Sequence, residues 1–309
     1  MARGTDDSLD TLRGYAFAVA YRMLGSVADA EDVVQEGLFR MHQAEEAGEK
    51  IESRRAYLST VVTRLSIDEL RSARARREEY VGEWLPEPVV ETPLEPGPAE
   101  HAELADTLSM SFMVLLESLS PEQRAAFLLH DVFDYPYEQI AEVVDKNEQA
   151  TRQLVSRARK AVNARRPRFE VPPEKREELA DRFFAAVFEG EVEQLKAMLA
   201  EDVEMTGDGG GKVPAIARIM QGAAQIAKAI GKWGDIGRKS GSSFRRVDVN
   251  GQPGALILDP DGKPFSAIDL DIGDDGKIHA IHSVVNPDKL AHLGQVGDAR
   301  RVIREGVRK

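Results

Sequence analysis

The stretch EQATRQLVSRARKAVNARR places Arg152, Gln153, Ser156, Arg157 and Lys160 on one side of a helix. These side chains suit nucleic acid: Arg forks onto guanine, Gln onto adenine, and Ser and Lys hold phosphate. The other side carries the apolar line Ala150, Leu154, Ala158 and Ala161. Just upstream, Tyr137, Ile140, Ala141 and Val144 recur at helical spacing, the break falls at Asp145-Lys146, and Asn147 is a good N-cap for the second helix. Helix, tight turn and polar helix is the helix-turn-helix layout, whose second helix enters the major groove. Asp145 stands where many such turns use Gly, and Asp tolerates the left-handed conformation. An ordinary helical hairpin with a solvated face would carry the same pattern.

Other constellations invite chemistry. Asp269 and Asp271 share one face of a strand opposite Ile268, Leu270 and Ile272, and could point into a pocket as an acid/base pair or simply face solvent. His279 and His282 lie an odd number of residues apart, on opposite strand faces, which excludes a metal pair from one strand. GDGGGK, Gly207 to Lys212, looks like a phosphate loop but has Thr206 at the first glycine position and Val213 at the magnesium-binding Ser/Thr position. It reads instead as a docking loop rich in exposed backbone or as a hairpin tip.

Composition limits the function classes. The 309 residues are 42% hydrophobic and 30% charged, with a net charge of -12 and no cysteine. That charge argues against indiscriminate nucleic-acid coating, so DNA contact must come from local basic patches. Disulfides and thiolate-zinc sites are excluded; neither a metal nor a cofactor is expected. The start MARGTDDSLD is polar and acidic, and no run is long enough to span a bilayer, so the expectation is a cytoplasmic protein.

The positioning elements are helical through the first half. Leu12, Ala16, Val19, Ala20 and Met23 form one helix face, Gly25 stops it, and Ser26 caps the next, whose Ala30, Val33, Val34, Leu38 and Met41 point inward. Asp29, Asp32 and Glu36 remain outside as an acidic stripe, a partner surface or a solvated face. A polar loop, Gln43 to Ser53, leads to a helix with Leu58, Val61, Val62, Leu65 and Leu70 inside. Arg54, Arg55, Arg64, Arg71, Arg74, Arg76 and Arg77, with Tyr57 among them, suit a separated nucleic-acid strand. From Glu78 to Gln123 there is no Lys or Arg; Pro and Glu dominate, as in a linker. Trp84 and Leu85 are costly there unless docked. A helix is expected over Asp106 to Leu119, then Ser120-Pro121-Glu122-Gln123 starts another. Beyond Glu174 the expectation is two helices through Met205, a third over Ala215 to Lys232, and strands at Phe244–Val249, Ala255–Leu258, Phe265–Ile272 and Ile278–Val285, turned by Asn250-Gly251, Asp261-Gly262 and Asp275-Gly276. Helices followed by an antiparallel meander is α+β.

DAEDVVQE, AYLSTVVTRLSIDELR and LSPEQRAAFLLHDVFDYPYEQIAEVVDKNEQATRQLVSRAR, in this order between about Leu12 and Arg166, resemble regions 2 and 4 of an extracytoplasmic-function sigma factor. The resemblance implies a multidomain chain with two all-α sigma domains: a region 2 helical bundle at 8–80 and a region 4 helix-turn-helix at 106–168, joined by the acidic Pro-rich linker at 81–105. The second half resembles the SnoaL-like domain, of the cone-shaped nuclear-transport-factor-2-like fold, at 174–296, followed by a basic C-terminal tail at 297–309. Implied partners are the RNA polymerase core, through its beta-prime and beta subunits, and promoter DNA, with no membrane. Asp29, Asp32, Gln35 and Glu36 would face polymerase; Arg54, Arg64, Asp68 and Arg71 the -10 strand; Arg152, Gln153, Ser156, Arg157 and Lys160 the -35 bases. WLPEP, DGGGK and NPDKL together resemble a subgroup whose fused extension is thought to regulate the sigma core in cis. Trp84, Leu85, Pro86, Asp208, Gly209, Gly210, Gly211, Lys212, Asn286, Pro287, Asp288, Lys289 and Leu290 would then be interdomain regulatory residues. There is room for a small ligand in the extension. The competing expectations are a stand-alone helix-turn-helix regulator sensing such a ligand, and a cyclase- or isomerase-like enzyme.

Overall fold

A computed structural model of the chain describes residues 8–78, 80–91, 108–163, 171–216 and 218–308. Two units are distinguished: Met1–Glu79 with Leu115–Arg166, and Tyr80–Val114 with Pro167–Lys309. The linker residues 92–105 and the start of the helix expected from Asp106 lie outside the described residues.

Capping chemistry sets the helices of the first unit. The Ser8 hydroxyl accepts from Thr11 N and opens α1 (Leu9–Leu24); Gly25, at φ 67°, closes it. Ser26 accepts from Asp29 N and opens α2 (Val27–Glu46), which runs into the expected polar loop. The next helix, α3 (Arg54–Glu78), buries Leu58, Val62, Ile67 and Leu70 in the three-helix bundle. After α4 (Met110–Leu116), α5 (Pro121–Phe127) begins with a reciprocal capping box between Ser120 and Gln123 and runs into a π-helical turn, Leu128–Val132. The helix-turn-helix is α6 (Tyr137–Val143) followed by α7 (Glu148–Asn163), with Asn147 Oδ1 accepting from Ala150 N at 2.8 Å. Asp145 in the turn has φ 52°, the left-handed conformation expected of it. The buried line of α7 is Thr151, Val155, Ala158 and Val162, not Ala150, Leu154, Ala158 and Ala161. Two valines offer more apolar area than two alanines, so the helix turns them inward.

In the second unit a mixed sheet runs in the order β1-β4-β5-β6-β7-β2-β3. The linker supplies β1 (Val90–Glu91). Two helices, α8 (Pro173–Glu189) and α9 (Val192–Met198), precede β2 (Leu199–Asp208) and β3 (Met220–Gln221). Then come α10 (Ala223–Ser240), the meander β4 (Ser243–Val249), β5 (Gln252–Leu258), β6 (Pro264–Ile272) and β7 (Ile278–Val284), a short α11 (Pro287–Leu290), and α12 (Ala299–Arg308). Asn250 and Gly251, at φ 53° and 70°, make the expected hairpin turn between β4 and β5.

Three expectations are corrected here. The second helix ends at Met198; LAEDVEMTGD is strand β2, held parallel to β7. Ala200, Glu201, Glu204 and Met205 are good helix formers, but Val203, Met205 and Gly207 alternate inward and β7 needs an edge partner, so tertiary pairing overrides propensity. The third helix starts at Ala223, not Ala215, because Met220–Gln221 pairs with β2 first. Residues expected as a tail include α12, whose Ala299 and Val302 are buried.

Both sheet faces are covered. Phe183, Phe184, Leu195, Ile226 and Ile230 from α8 to α10 pack on one face over Val203, Ala255, Leu270 and Ile281. On the other, Leu85, Met110 and Leu290 pack on Val247, Val249, Leu256, Ala267 and Val284. The left-handed turn residue gives a local test: Asp145→Gly should leave the unfolding midpoint of the helical unit nearly unchanged. Asp145→Val should lower its stability by about 1–2 kcal/mol, read by chemical denaturation followed by circular dichroism.

Candidate functional site

In the helical unit, Arg152, Gln153, Ser156, Arg157 and Lys160 are all exposed along α7. Arg152 lies 4.5 Å over the Tyr137 ring and pairs with Glu148 at 2.8 Å. Along α2, Asp32, Gln35 and Glu36 are exposed and Asp29 half-buried, with exposed Phe39 on the same side. Glu36 pairs with Arg40 at 2.7 Å.

The arginines of α3 are engaged within the protein. Arg54 pairs with Glu45 at 2.7 Å. Arg64 Nη2 donates to the Glu142 carbonyl at 2.7 Å, at the C-terminal end of α6, where the helix dipole favours a cation. Arg71 pairs with Asp68 at 3.3 Å and with Glu122 at 2.7 Å. The side chains of Arg74, Arg76 and Arg77 lie outside the described residues. Deeper, the Arg124 guanidinium donates to Met23 O at 2.7 Å, Leu116 O at 3.0 Å and Glu117 at 2.7 Å. It thereby joins the α1–α3 bundle to the helices that follow.

In the second unit, Asp208 ends β2 with no solvent exposure. Its Oδ1 accepts from Tyr80 Oη at 2.5 Å and Gly210 N at 3.0 Å. Its Oδ2 accepts from Leu85 N at 2.9 Å and Lys289 Nζ at 2.6 Å. Lys289 Nζ also donates to Leu85 O and lies 4.2 Å over the Trp84 ring. Asn286 caps α11 and donates to Tyr80 Oη at 2.9 Å. Leu85 and Leu290 have no exposure and Pro86 is buried. Gly210, at φ 56°, lies so close to Asn286 that a Cβ would stand 2.3 Å from Asn286 Nδ2. Gly211 has φ 69°, and a Cβ on Gly209 would stand 2.4 Å from Val213 O. Exposed Lys212 pairs with Asp288. WLPEP, DGGGK and NPDKL therefore meet around one carboxylate.

Asp269 and Asp271 do not point among the helices. On β6, Ser266, Ile268, Leu270 and Ile272 take that face, while Ala267, Asp269 and Asp271 take the linker-covered one. There Asp269 Oδ2 lies 3.0 Å from His282 Nδ1, and His282 Nε2 lies 3.4 Å from the Ser111 hydroxyl. Burial opposes the His282 charge, but the carboxylates of Asp269 and Asp271 outweigh it and raise His282 to about 9. Burial raises the Asp271 carboxyl to about 6, with the His282 charge pulling the other way. His279, on the opposite strand face, pairs with Asp275 at 2.9 Å. Among the described residues no cluster of His, Cys, Asp and Glu could hold a metal ion, and no helix is long and apolar enough to cross a membrane.

Comparison with known proteins shows the family. Residues 9–76 match Sigma-70 region 2 and residues 109–162 match Sigma-70, region 4. The chain is 39% identical over 293 residues to the ECF RNA polymerase sigma factor SigJ of Mycobacterium tuberculosis, covering 91% of each chain. This chain belongs to the extracytoplasmic-function sigma factors. The crystal structure of SigJ superposes with a TM-score of 0.73 at 34% identity, over 93% of this sigma factor and 98% of that chain. The probable ECF sigma factor SigI of the same organism is 32% identical over 189 residues, 60% of this chain and 64% of its own.

As a sigma factor the chain is a non-enzymatic initiation factor that binds RNA polymerase core and promoter DNA. The region 2 match covers a bundle that a stand-alone helix-turn-helix regulator does not need. Sequence reasoning missed Tyr80, Asn250, Ser111 and His292 as linker-holding groups. Asn250 was visible only as a turn residue, yet its side chain accepts from Val89 N at 2.8 Å and donates to Leu108 O at 2.9 Å. His292 Nε2 lies 2.8 Å from Pro88 O.

The buried His–Asp group predicts a pH dependence. Asp271 and His282 both have folded pKa values raised, from 3.8 and 6.5, so the folded state holds protons that the unfolded chain releases. Their contribution is full below the unfolded values and is lost as pH rises, through about 4–6 for Asp271 and 6.5–9 for His282, each by at most about 1.4 kcal/mol per pH unit. Both tryptophans, Trp84 and Trp233, lie in this unit, so their fluorescence follows its unfolding. Denaturation midpoints should fall from pH 7 to 9 in the wild type, and this fall should be lost in His282→Gln.

Proposed function

We propose that this sigma factor directs polymerase to its promoters from the cytoplasm, with region 4 reading the -35 element through α7, region 2 melting the -10 element, and the C-terminal unit controlling both in cis. Supporting the -35 assignment, α7 presents Arg152, Gln153, Ser156, Arg157 and Lys160 together to solvent while its apolar side is buried. Asp29, Asp32, Gln35 and Glu36 are assigned to the polymerase core, its beta-prime subunit in particular, with exposed Phe39 beside them. Arg54, Arg64, Asp68 and Arg71 are assigned to the -10 strand. Arg64 and Arg71 are held by α6 and by Glu122 of α5. Those bonds must be exchanged for DNA contacts when the promoter is engaged.

The observation that carries control in cis is where the linker belongs. Region 2 ends near residue 76 and region 4 begins near 109, and Tyr80–Val114, the stretch between them with the first residues of region 4, belongs to the C-terminal unit. The separation of the two promoter-reading regions is then set by the Arg124 joint together with what holds Tyr80–Glu91 and Leu108–Val114, and the holders of those segments are Asp208, Lys289, Asn250 and His282. A small ligand in the C-terminal unit would act through the same hold.

Two outcomes test this reading. In transcription with core polymerase on a randomised promoter library, Arg152→Ala and Arg157→Ala should each relax -35 selectivity by about 1–3 kcal/mol while core binding stays unchanged. Unaltered selectivity in both would overturn the assignment of α7. Asp208→Asn leaves Lys289 without its charge partner in a buried site, a change that typically costs about 3–5 kcal/mol. A glutamate-specific protease should then cut at Glu83 and Glu87 at least tenfold faster than in the wild type. Equal cutting would leave the linker without its clasp.

A further inference from the structure

The sheet face under the helices encloses a cavity of about 150 Å³. Phe184 and Phe188 of α8, Trp233 of α10, Ile268 and Ile281 of the sheet and Ile303 of α12 form much of its wall. Among the described residues no ionisable side chain lines it. The hydroxyls there are Ser266 and Ser283, 3.3 Å apart and able to hydrogen-bond each other. The buried acids and histidine of the same strands point to the opposite face, so the cavity has no group to move a proton. α12 contributes Ala299, Val302 and Ile303 to the wall. It packs tightly on α10 through Gly306, where a Cβ would stand 2.3 Å from Ile236 O. Trp233 is 41% exposed and stands where the cavity meets solvent.

We infer that this cavity is a binding site, and not a catalytic one, for an uncharged hydrocarbon-rich molecule the size of a single aromatic ring, carrying at most one hydroxyl or carbonyl group. An apolar cavity of about this volume stays dry and accepts benzene-sized guests. Charged groups are refused, because no counter-charge or spare donor offsets their desolvation. One polar atom is accepted, because the Ser266 and Ser283 hydroxyls can turn from each other towards it. Aromatic walls at Phe184, Phe188 and Trp233 favour a ring over a flexible chain. The inference rests on the C-terminal unit being a control domain only for the purpose of the site, not for its existence.

The test uses the full chain with Trp84→Phe, which leaves Trp233 as the one tryptophan. Toluene, phenol and benzoate are titrated against Trp233 emission and against the thermal midpoint. Toluene and phenol should bind saturably and raise the midpoint, and benzoate should bind at least 100-fold more weakly. Ala215→Phe and Val302→Phe, each filling the cavity from a different element, should weaken toluene at least tenfold with the circular dichroism of the wild type. Two variants are used so that misfolding of one leaves the other to decide. Absence of saturable toluene and phenol binding, or benzoate binding as tightly as toluene, would overturn the site. Because binding is read without polymerase, that result would leave the promoter reading standing. Loss of promoter-directed transcription with toluene binding intact would do the reverse.

Discussion

A carboxylate removed from water must be surrounded by donors, and Asp208 obtains them from three stretches of chain far apart in sequence. Tyr80 and Leu85 come from the linker, Gly210 from its own loop, and Lys289 from the segment after the sheet. The desolvation of such a pair can cancel its attraction, so its main product is selection of one arrangement. If the linker slid by one residue, Leu85 N would leave the carboxylate and the Leu85 side chain would leave its apolar seat. The glycines of DGGGK follow from the same constraint: Gly210 must hold a positive φ and let Asn286 approach to where a side chain would stand. Lys289 completes the set by neutralising Asp208 while lying over Trp84, so one cation ties together all three motifs.

The helical unit uses its charges differently. Most of its arginine contacts are partly exposed and modest in strength, as with Arg54–Glu45 and Arg71–Glu122, where salt and solvent compete. Such bonds can be exchanged for phosphate without leaving a buried charge behind. Arg22 and Arg124 differ, both almost unexposed, and Arg124, donating to Leu116 O, Met23 O and Glu117, behaves as a fixed joint. The division matches what a promoter-recognition factor needs: a stable framework, with cations at its surface that can change partners.

The features legible in the sequence were those with a local cause. Ser26, Ser120 and Asn147 capped where expected, Gly25 ended α1, Asp145 took a left-handed turn, and Asn250-Gly251 made its hairpin, because each rests on a few neighbouring atoms. The face of α7 was misjudged by one position, since only packing could show that Val155 and Val162 outweigh Ala150 and Ala161. Strand β2 was hidden because Ala200, Glu201, Glu204 and Met205 favour helix and its partner residues on β7 lie 76 to 79 positions later. Trp84 and Leu85 stood out as apolar groups in a polar tether, but their acceptor could not be found from composition. Asp208 had to be brought to them by β2. The side to which Asp269 points depended on which face the linker covers, which strand alternation alone leaves undecided.

The same alternation explains how one sheet can serve two purposes. Along β7, Ile281 and Ser283 face the cavity while His282 and Val284 face the linker. On β6, Ser266 and Ile268 face the cavity while Ala267 and Asp269 face the linker. Among the described residues no ionisable side chain lines the cavity on the apolar side, while Asp269, Asp271 and His282 are buried on the side that carries Leu85 and Met110. A displacement of β7 of a few tenths of an ångström, caused from either face, reaches the other within one peptide unit, because consecutive side chains share the same rigid backbone. The hydrogen bond of His282 with Asp269, and its contact with Ser111, depend on distance and angle far more steeply than apolar packing does. The hold on Ser111, at the start of region 4, is thus sensitive to any such movement.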